Sequence, residues 1–453
     1  MPKFKYILIG VVGFGFLIRV AFLLNNPNFN YTRLKGTAIP FEVSYFKKAM
    51  SFDSQEYKAL ALNIVNHHRF SWDSEPATFR TPGYPLFIAG IYSLFGVKDW
   101  VVMLFQAFLS VATIYLVYLI ARSSFGELAG IISACLFSID FTSILFSSLF
   151  MSETLYVFFL LLGVWLFLKQ NTSWCVHTSA LVFGLSSLIR PIGVYLFIPL
   201  LLFLWFKVKK GSYRLQFMQV VIFLVLFFLP ILPWVVRNYK IYHSPTLSSL
   251  GGFNLLLSNA ALLESEESGV SIDSAQAEFS KKLLEVAPPD SDNPLLLASL
   301  AQKIGFSRIM RSPLRYAYIH LKGDMKMLVS TKSDDILLKI SGADEVQPQI
   351  IQSELLTSVY ESQFIGSKII LLLFAGLEVI IVVGSIIFAL ISFIRSRSDL
   401  SLRYPNLLFF ALACYFLVFS GGPFGDSRYR LPLIPYVYIL ASCLISRAVW
   451  KRK

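Results

Sequence analysis

Charge is what this 453-residue sequence has least of: Asp, Glu, Lys and Arg make up only 15% of it, against 56% hydrophobic residues. Soluble globular domains run at about 25% charged and about 45–50% apolar, so the shortage excludes an ordinary soluble enzyme, a disordered chain and a coiled coil. Cysteine is scarce too. The four, Cys135, Cys175, Cys414 and Cys443, lie in or beside apolar runs and define no disulfide framework. There is no paired Cys/His spacing, no Walker-type loop, no dinucleotide glycine fingerprint and no Gly-x-Ser-x-Gly nucleophile, which removes zinc modules, P-loop enzymes, Rossmann dehydrogenases and α/β-hydrolases. Internal repeats and low-complexity tracts are absent as well. The N-terminal apolar run, 6–24, is too long for a signal peptide, is interrupted by Arg19 and is followed by Asn25-Asn26-Pro27, which is no small-residue cleavage site. It predicts an uncleaved first span.

What is present is apolar sequence of membrane length. A helix needs about 20 residues to cross about 30 Å of hydrocarbon, and runs at 6–24, 100–121, 129–149, 155–168, 180–189, 192–206, 217–235, 369–394, 407–419 and 431–445, some with their flanks, predict about ten transmembrane helices. The fold expected is therefore an all-α polytopic membrane protein. It divides into a first transmembrane helix (1–24), an outer loop (25–99), a transmembrane bundle (100–237), a large outer loop (238–367) and C-terminal transmembrane helices (368–453). Amphipathic stretches at 53–66, 275–286, 294–310 and 313–329, and a short apolar piece at 84–97, predict interfacial helices within the two loops.

The net charge of +13 acquires meaning from its placement. Lys3, Lys5, Arg122, Lys169, Lys207, Lys209, Lys210, Arg214, Arg395, Arg397, Arg403, Arg447, Lys451, Arg452 and Lys453 sit in short connections after alternate spans or at the termini. Basic short loops mark the cytoplasmic side, which puts both termini in the cytoplasm and the two long loops outside. Nucleic-acid binding is not needed to explain the charge.

Ionisable residues on the outer side, beside apolar helices, are then the informative ones. Asp53 opens the amphipathic stretch in Ser-Phe-Asp53-Ser-Gln-Glu56-Tyr57; it suits a helix N-cap or a general base, with Glu56 and Tyr57 one turn on. Arg80 precedes the rigid turn Thr81-Pro82-Gly83-Tyr84-Pro85, where a guanidinium suits phosphate or snorkels to headgroups. Glu153 in Met-Ser-Glu153-Thr-Leu-Tyr begins the fourth span as a cap or as part of a site. Arg237 follows Pro233-Trp234 where the seventh span ends, a common anchor pattern. Arg428, Tyr429 and Arg430 occupy a short loop after Gly425-Asp426, against the positive-inside bias, facing an anionic group or pairing with Asp426. Arg190-Pro191 and Asp140, near span ends on the same side, have weaker claims. Carboxylates and arginines at a membrane boundary suit a lipid-phosphate donor, with its phosphate on the arginines and its sugar beside a carboxylate.

Taken in order, Asp53, Tyr57, Ala61, Arg80, Thr81-Pro82-Gly83-Tyr84-Pro85-Leu86, Glu153, Pro233-Trp234 and Arg428-Tyr429-Arg430-Leu431-Pro432-Leu433-Ile434-Pro435 resemble the motifs of membrane glycosyltransferases of the C-type (GT-C) fold. The resemblance is to bacterial relatives of the protein O-mannosyltransferases and lipid A aminoarabinose transferases. It implies transfer of a sugar, hexose or pentose, from a polyprenyl-phosphate carrier to an acceptor hydroxyl, with inversion, on the outer face of a bacterial inner membrane. In that reading Asp53 is the base, Arg80 holds the donor phosphate and Glu153 lines the cavity. The acceptor is a glycolipid, glycan or protein; Asp53 is followed by Ser54 where protein mannosyltransferases carry a second acid, which speaks against protein. The first loop has no Asp-x-Asp, so no metal is expected, although Asp53 with Glu56 has the chemistry to bind a divalent ion. The alternatives are an O-antigen-type polymerase or ligase using a polyprenyl-diphosphate glycan, and a lipid or sugar flippase or transporter. The latter should show mid-span ionisable residues or repeated halves, and only Arg19 fits that.

Overall fold

The computed structural model describes residues 2–24, 53–72, 75–169, 173–207, 213–288, 293–331, 365–396 and 400–450. Residues 25–52 of the first loop, Lys209, Lys210, Arg397 and the C-terminal 451–453 lie outside the described residues. The described chain is helical almost throughout. Its one sheet is a hairpin of β1 (Ser71–Trp72) and β2 (Glu75–Pro76), with Trp72 opposite Glu75.

In chain order the helices are α1 (Pro2–Leu24), α2 (Asp53–His67), α3 (Gly83–Phe95), α4 (Asp99–Phe125), α5 (Glu127–Ser138), α6 (Phe141–Ser147), α7 (Glu153–Leu168), α8 (Ser173–Ile189), α9 (Phe197–Lys207), α10 (Tyr213–Phe228) and α11 (Leu232–Tyr242). A more polar segment follows with α12 (Leu250–Phe253), a π-turn (Asn254–Ala260), α13 (Ala261–Ser268), α14 (Ile272–Val286), α15 (Pro294–Arg311) and α16 (Pro313–Val329). The chain closes with α17 (Ile365–Arg395), α18 (Leu400–Ser420) and α19 (Ile434–Trp450). Each of the ten apolar runs is mainly helical, with breaks inside 129–149 and 217–235. Among the described residues four helices are long and apolar enough to cross a membrane, Phe4–Leu24, Asp99–Phe125, Leu373–Arg395 and Leu402–Ser420, or up to six if each of two bent pairs is one span. The chain is thus a multi-pass membrane protein with several short apolar helices.

The shortening has identifiable causes. α5 and α6 meet at 61° because Asp140 leaves the helix and accepts the Ser143 amide at 2.7 Å, capping α6. Its other oxygen accepts the Tyr438 hydroxyl at 2.9 Å. α10 and α11 meet at 53°, where Pro233 occupies the first turn of α11, a position that needs no amide proton. Arg19, buried within α1, donates to Ser110, Ser143 and the carbonyls of Gly15 and Ser138; a cation in an apolar medium is tolerable when its donors are satisfied in this way. One apolar core joins α1 to α10 and α17 to α19 and takes in Met327 of α16, and a second core holds the 253–319 segment together.

Candidate active site

Several helix ends meet at one end of the bundle, and the charges they carry form one network. Asp53 and Glu56 lie in the first turn of α2, Arg80 lies just before α3, Glu153 is the first residue of α7, Arg190 follows α8, and Arg428 lies in the 3-10 turn Ser427–Arg430 ahead of α19. Arg80 pairs with Asp53 through Nη2 and with Glu56 Oε2 through Nε at 2.5 Å. Arg428 pairs with the other Asp53 oxygen at 2.6 Å and with Glu153 Oε1. Arg190 Nη1 lies 2.6 Å from that same Glu153 oxygen. Three guanidiniums thus alternate with three carboxylates, and Asp53, bridged by two of the cations, is the most exposed of the carboxylates, at 25% of its side chain. Glu153 Oε2 is buried with no hydrogen-bond partner among the described residues.

Close packing fixes the geometry. A Cβ on Gly83 would lie 2.7 Å from the Leu188 carbonyl oxygen, so only glycine lets the start of α3 rest against the end of α8. Thr81 Oγ1 donates to the Ile189 carbonyl at 3.2 Å, and these two contacts carry Arg80 to the level of Arg190. The Tyr57 ring lies under Arg80, with the guanidinium carbon 5.1 Å from its centroid, an arrangement that favours the cation. Tyr84 supports Tyr57 edge-on at 4.7 Å and donates to Gln106. Arg428 is presented by a turn in which Asp426 accepts the Arg428 amide at 2.7 Å. Gly422 and Gly425 both have positive φ there.

Burial pushes the Asp53 carboxyl upward, but Arg80 and Arg428 outweigh it and hold the group well below the ordinary carboxylate range. Burial likewise opposes the Arg80 charge, and Asp53, Tyr57 and Glu56 overcome it, leaving the guanidinium more firmly protonated. Clamped in this way, Asp53 is a weak base.

Of the residues singled out in the sequence, Asp53, Glu56, Arg80, Glu153 and Arg428 come together, with Tyr57 and Tyr429 beside them; the Arg428 guanidinium carbon is 5.8 Å from the Tyr429 centroid. Tyr84 is fully buried beneath. Arg237 and Arg430 stand apart. Arg237 donates to the carbonyls of Phe70 and Ala77 and to Asn238 and stacks on Trp234, tethering the segment that leads to Arg80. Arg430 is buried against Glu378 of α17, Thr142 and the Ser330 carbonyl. Asp140 is a helix cap. Arg190 joins the network, and its signal was its position: runs 155–168 and 180–189 are consecutive, so Glu153 and Arg190 must share one end of the bundle. Among the described residues no group of three His, Cys, Asp or Glu side chains could hold a metal ion.

Residues 79–234 match the family model of dolichyl-phosphate-mannose-protein mannosyltransferases, a stretch that holds Arg80, Glu153 and Arg190. No curated protein sequence matches the chain. Among solved structures, the archaeal oligosaccharyltransferase AglB from Archaeoglobus fulgidus, in complex with an inhibitory peptide and a dolichol-phosphate, superposes with a TM-score of 0.53 at 16% identity, covering 99% of this chain and 51% of that one. The oligosaccharyltransferase of the same organism, tethered to an acceptor peptide, gives 0.52 at 15% identity, covering 99% and 50%. ArnT from Cupriavidus metallidurans bound to undecaprenyl phosphate gives 0.37 at 12% identity, covering 97% and 78%. The chain spans about half the length of the oligosaccharyltransferases it matches. It has the GT-C fold, the fold of membrane glycosyltransferases.

Proposed function

We propose that the chain is a glycosyltransferase that moves a hexose or pentose from a polyprenyl-phosphate carrier to an acceptor hydroxyl, at the extracytoplasmic face of a bacterial inner membrane. The observation that carries this reading is Asp53 held between Arg80 and Arg428. Two convergent guanidiniums suit the phosphate of a lipid-linked sugar, which recognises such forks bidentately. The family match over 79–234 and the dolichol-phosphate in the AglB complex support a lipid-phosphate donor. The basic short connections support the sidedness.

The mechanism follows from the clamp. Donor phosphate oxygens compete with Asp53 for Arg80 and Arg428. As the cations turn to phosphate, the influence that depresses Asp53 is withdrawn, and its carboxylate gains affinity for a proton when the donor is in place. The acceptor oxygen then attacks the anomeric carbon from the face opposite the phosphate. The carbon–oxygen bond to phosphate breaks, the electron pair leaves with the phosphate, and the hydroxyl proton passes to Asp53. Arg80 and Arg428 stabilise the charge building on the leaving phosphate, while Glu153 and Arg190 fix Arg428. Attack from the opposite face inverts the anomeric centre.

The test is transfer in detergent from a panel of polyprenyl-phosphate sugars. Loss of a general base lowers rates by about 100-fold or more, so Asp53→Asn should fall that far and Arg80→Ala should lose donor binding. Full activity in Asp53→Asn would sink the mechanism. Consumption of polyprenyl-diphosphate oligosaccharides alone would replace this reading with a polymerase.

A further inference from the structure

A cavity borders Arg80 and Glu56. Its interior measures about 60 Å³ and opens to solvent. Trp72, Phe79 and Tyr242 supply aromatic walls, and Glu56, Glu75 and Arg80 supply the charges. The walls are held in place: the Tyr242 hydroxyl donates to the Pro76 carbonyl at 2.7 Å, Ser248 donates to the Phe79 carbonyl at 2.7 Å, and the hairpin sets Trp72 across from Glu75.

The charge pattern decides what fits. The two carboxylates in the lining, Glu56 and Glu75, outnumber its one cation, Arg80, whose Nε is held by Glu56. Phosphate and other anions are therefore disfavoured here. Ring faces carry negative charge density and pack against C–H groups, while carboxylates accept hydrogen bonds from hydroxyls. A ligand with a C–H face and a rim of hydroxyl donors satisfies both.

We propose that this cavity is a saccharide subsite that binds an uncharged pyranose, with its C–H face on Trp72 and its hydroxyls toward Glu56 and Glu75. The proposal rests on the transferase reading for its place in the reaction but not for its test. Through Glu56 and Arg80 the cavity adjoins the Asp53 clamp, so a sugar held there stands one side chain from the transfer centre. The sugar comes either from the donor or from a glycan acceptor.

Binding of methyl α-mannopyranoside and methyl β-glucopyranoside to the full-length protein in detergent, read by saturation-transfer NMR and calorimetry, tests this without turnover. Saturable binding of at least one glycoside is expected, weakened about tenfold or more in Trp72→Ala and Glu75→Ala and retained in Trp72→Phe. Glu75 is exposed, so its variant keeps the test sound if Trp72→Ala fails to fold. Displacement by a polyprenyl-phosphate sugar, but not by undecaprenyl phosphate, assigns the subsite to the donor sugar; displacement by neither assigns it to the acceptor. No saturable binding to the wild type, or wild-type affinity in both Trp72→Ala and Glu75→Ala, overturns the proposal. Glycoside binding in a protein that transfers no sugar would overturn the transferase reading and leave the subsite standing.

Discussion

Arg428 reaches back across 375 residues of sequence to place its Nη2 2.6 Å from the Asp53 carboxylate. With its Nε on Glu153, one guanidinium ties the start of α2 to the start of α7. Removing it leaves Glu153 buried with Arg190 alone, and breaking a buried pair on one side costs about 3–5 kcal/mol. Arg428→Ala is expected to lower the thermal midpoint in detergent and to abolish donor binding. Arg428→Lys keeps the charge but not the fork. It should fold with a midpoint near the wild type and still lose at least about tenfold in kcat/KM, about 1.4 kcal/mol. Equal activity in the two proteins would refute a bidentate role.

The clamp also fixes a pH dependence. The folded Asp53 carboxyl lies below its unfolded value because Arg80 and Arg428 outweigh the effect of burial. A depressed carboxylate contributes stability that is fully present above the unfolded pKa, about 3.9, and that disappears as pH falls through the folded one. Wild-type stability should therefore drop below about pH 4 more steeply than that of Asp53→Asn, measured as thermal midpoint against pH. The acid limb of kcat/KM reports the free enzyme. It should move to higher pH in Arg80→Gln, because one of the two depressing cations is gone. An unmoved limb would show that Asp53 is not the group titrating.

Most of the charge network of the candidate site was legible in the sequence because charge is scarce: Asp53 opens an amphipathic stretch, Arg80 precedes a rigid turn, and Glu153 and Arg428 lie just ahead of apolar runs. Asp53, Arg80, Glu153 and Arg428 stand out on those grounds alone. Arg430 stands out equally, yet its partner is Glu378, so Arg19 is not alone as an ionisable residue inside a span, and nothing periodic in that apolar run shows that Glu378 faces another helix. Arg237 is satisfied by backbone carbonyls of Phe70 and Ala77, partners that no residue type reveals. The helix breaks were hidden for a related reason. Run 129–149 reads as one span, and Asp140 is its single interruption; that one carboxylate captures an amide and a tyrosine, and the chain turns through 61°. Long-range hydrogen bonding decided these cases, and hydropathy does not encode it.

Gly83 offers a test of how finely Arg80 is placed. An added Cβ would meet the Leu188 carbonyl at 2.7 Å and the Ile189 side chain at 2.8 Å, neither of which is the far end of a flexible side chain. Overpacking of this kind costs about 1–3 kcal/mol. Gly83→Ala is expected to lower the thermal midpoint and to push α3, with Arg80 ahead of it, away from α8. Donor KM should rise while glycoside binding by Trp72 persists. Gly90→Ala, where nothing lies within 4 Å of the added carbon, is the matched control and should change neither.

Arg430 and Glu378 form a pair that is almost wholly buried, with exposures of 0% and 2%, and Thr142 and the carbonyls of Leu328 and Ser330 also accept from the guanidinium. That set joins α6, α16, α17 and the turn that carries Arg428, so its work is to hold Arg428 in place. A buried ion pair contributes little net stability against apolar residues of similar volume, whereas removing one half leaves an unpaired charge. Arg430→Met alone is therefore expected to cost about 3–5 kcal/mol, and Arg430→Met combined with Glu378→Leu should recover most of the thermal midpoint. The double variant should also bind undecaprenyl phosphate within about twofold of the wild type, a change of about 0.4 kcal/mol. Were Arg430 a phosphate ligand, the double variant would recover its fold and still fail to bind the lipid, and that outcome would move Arg430 into the site.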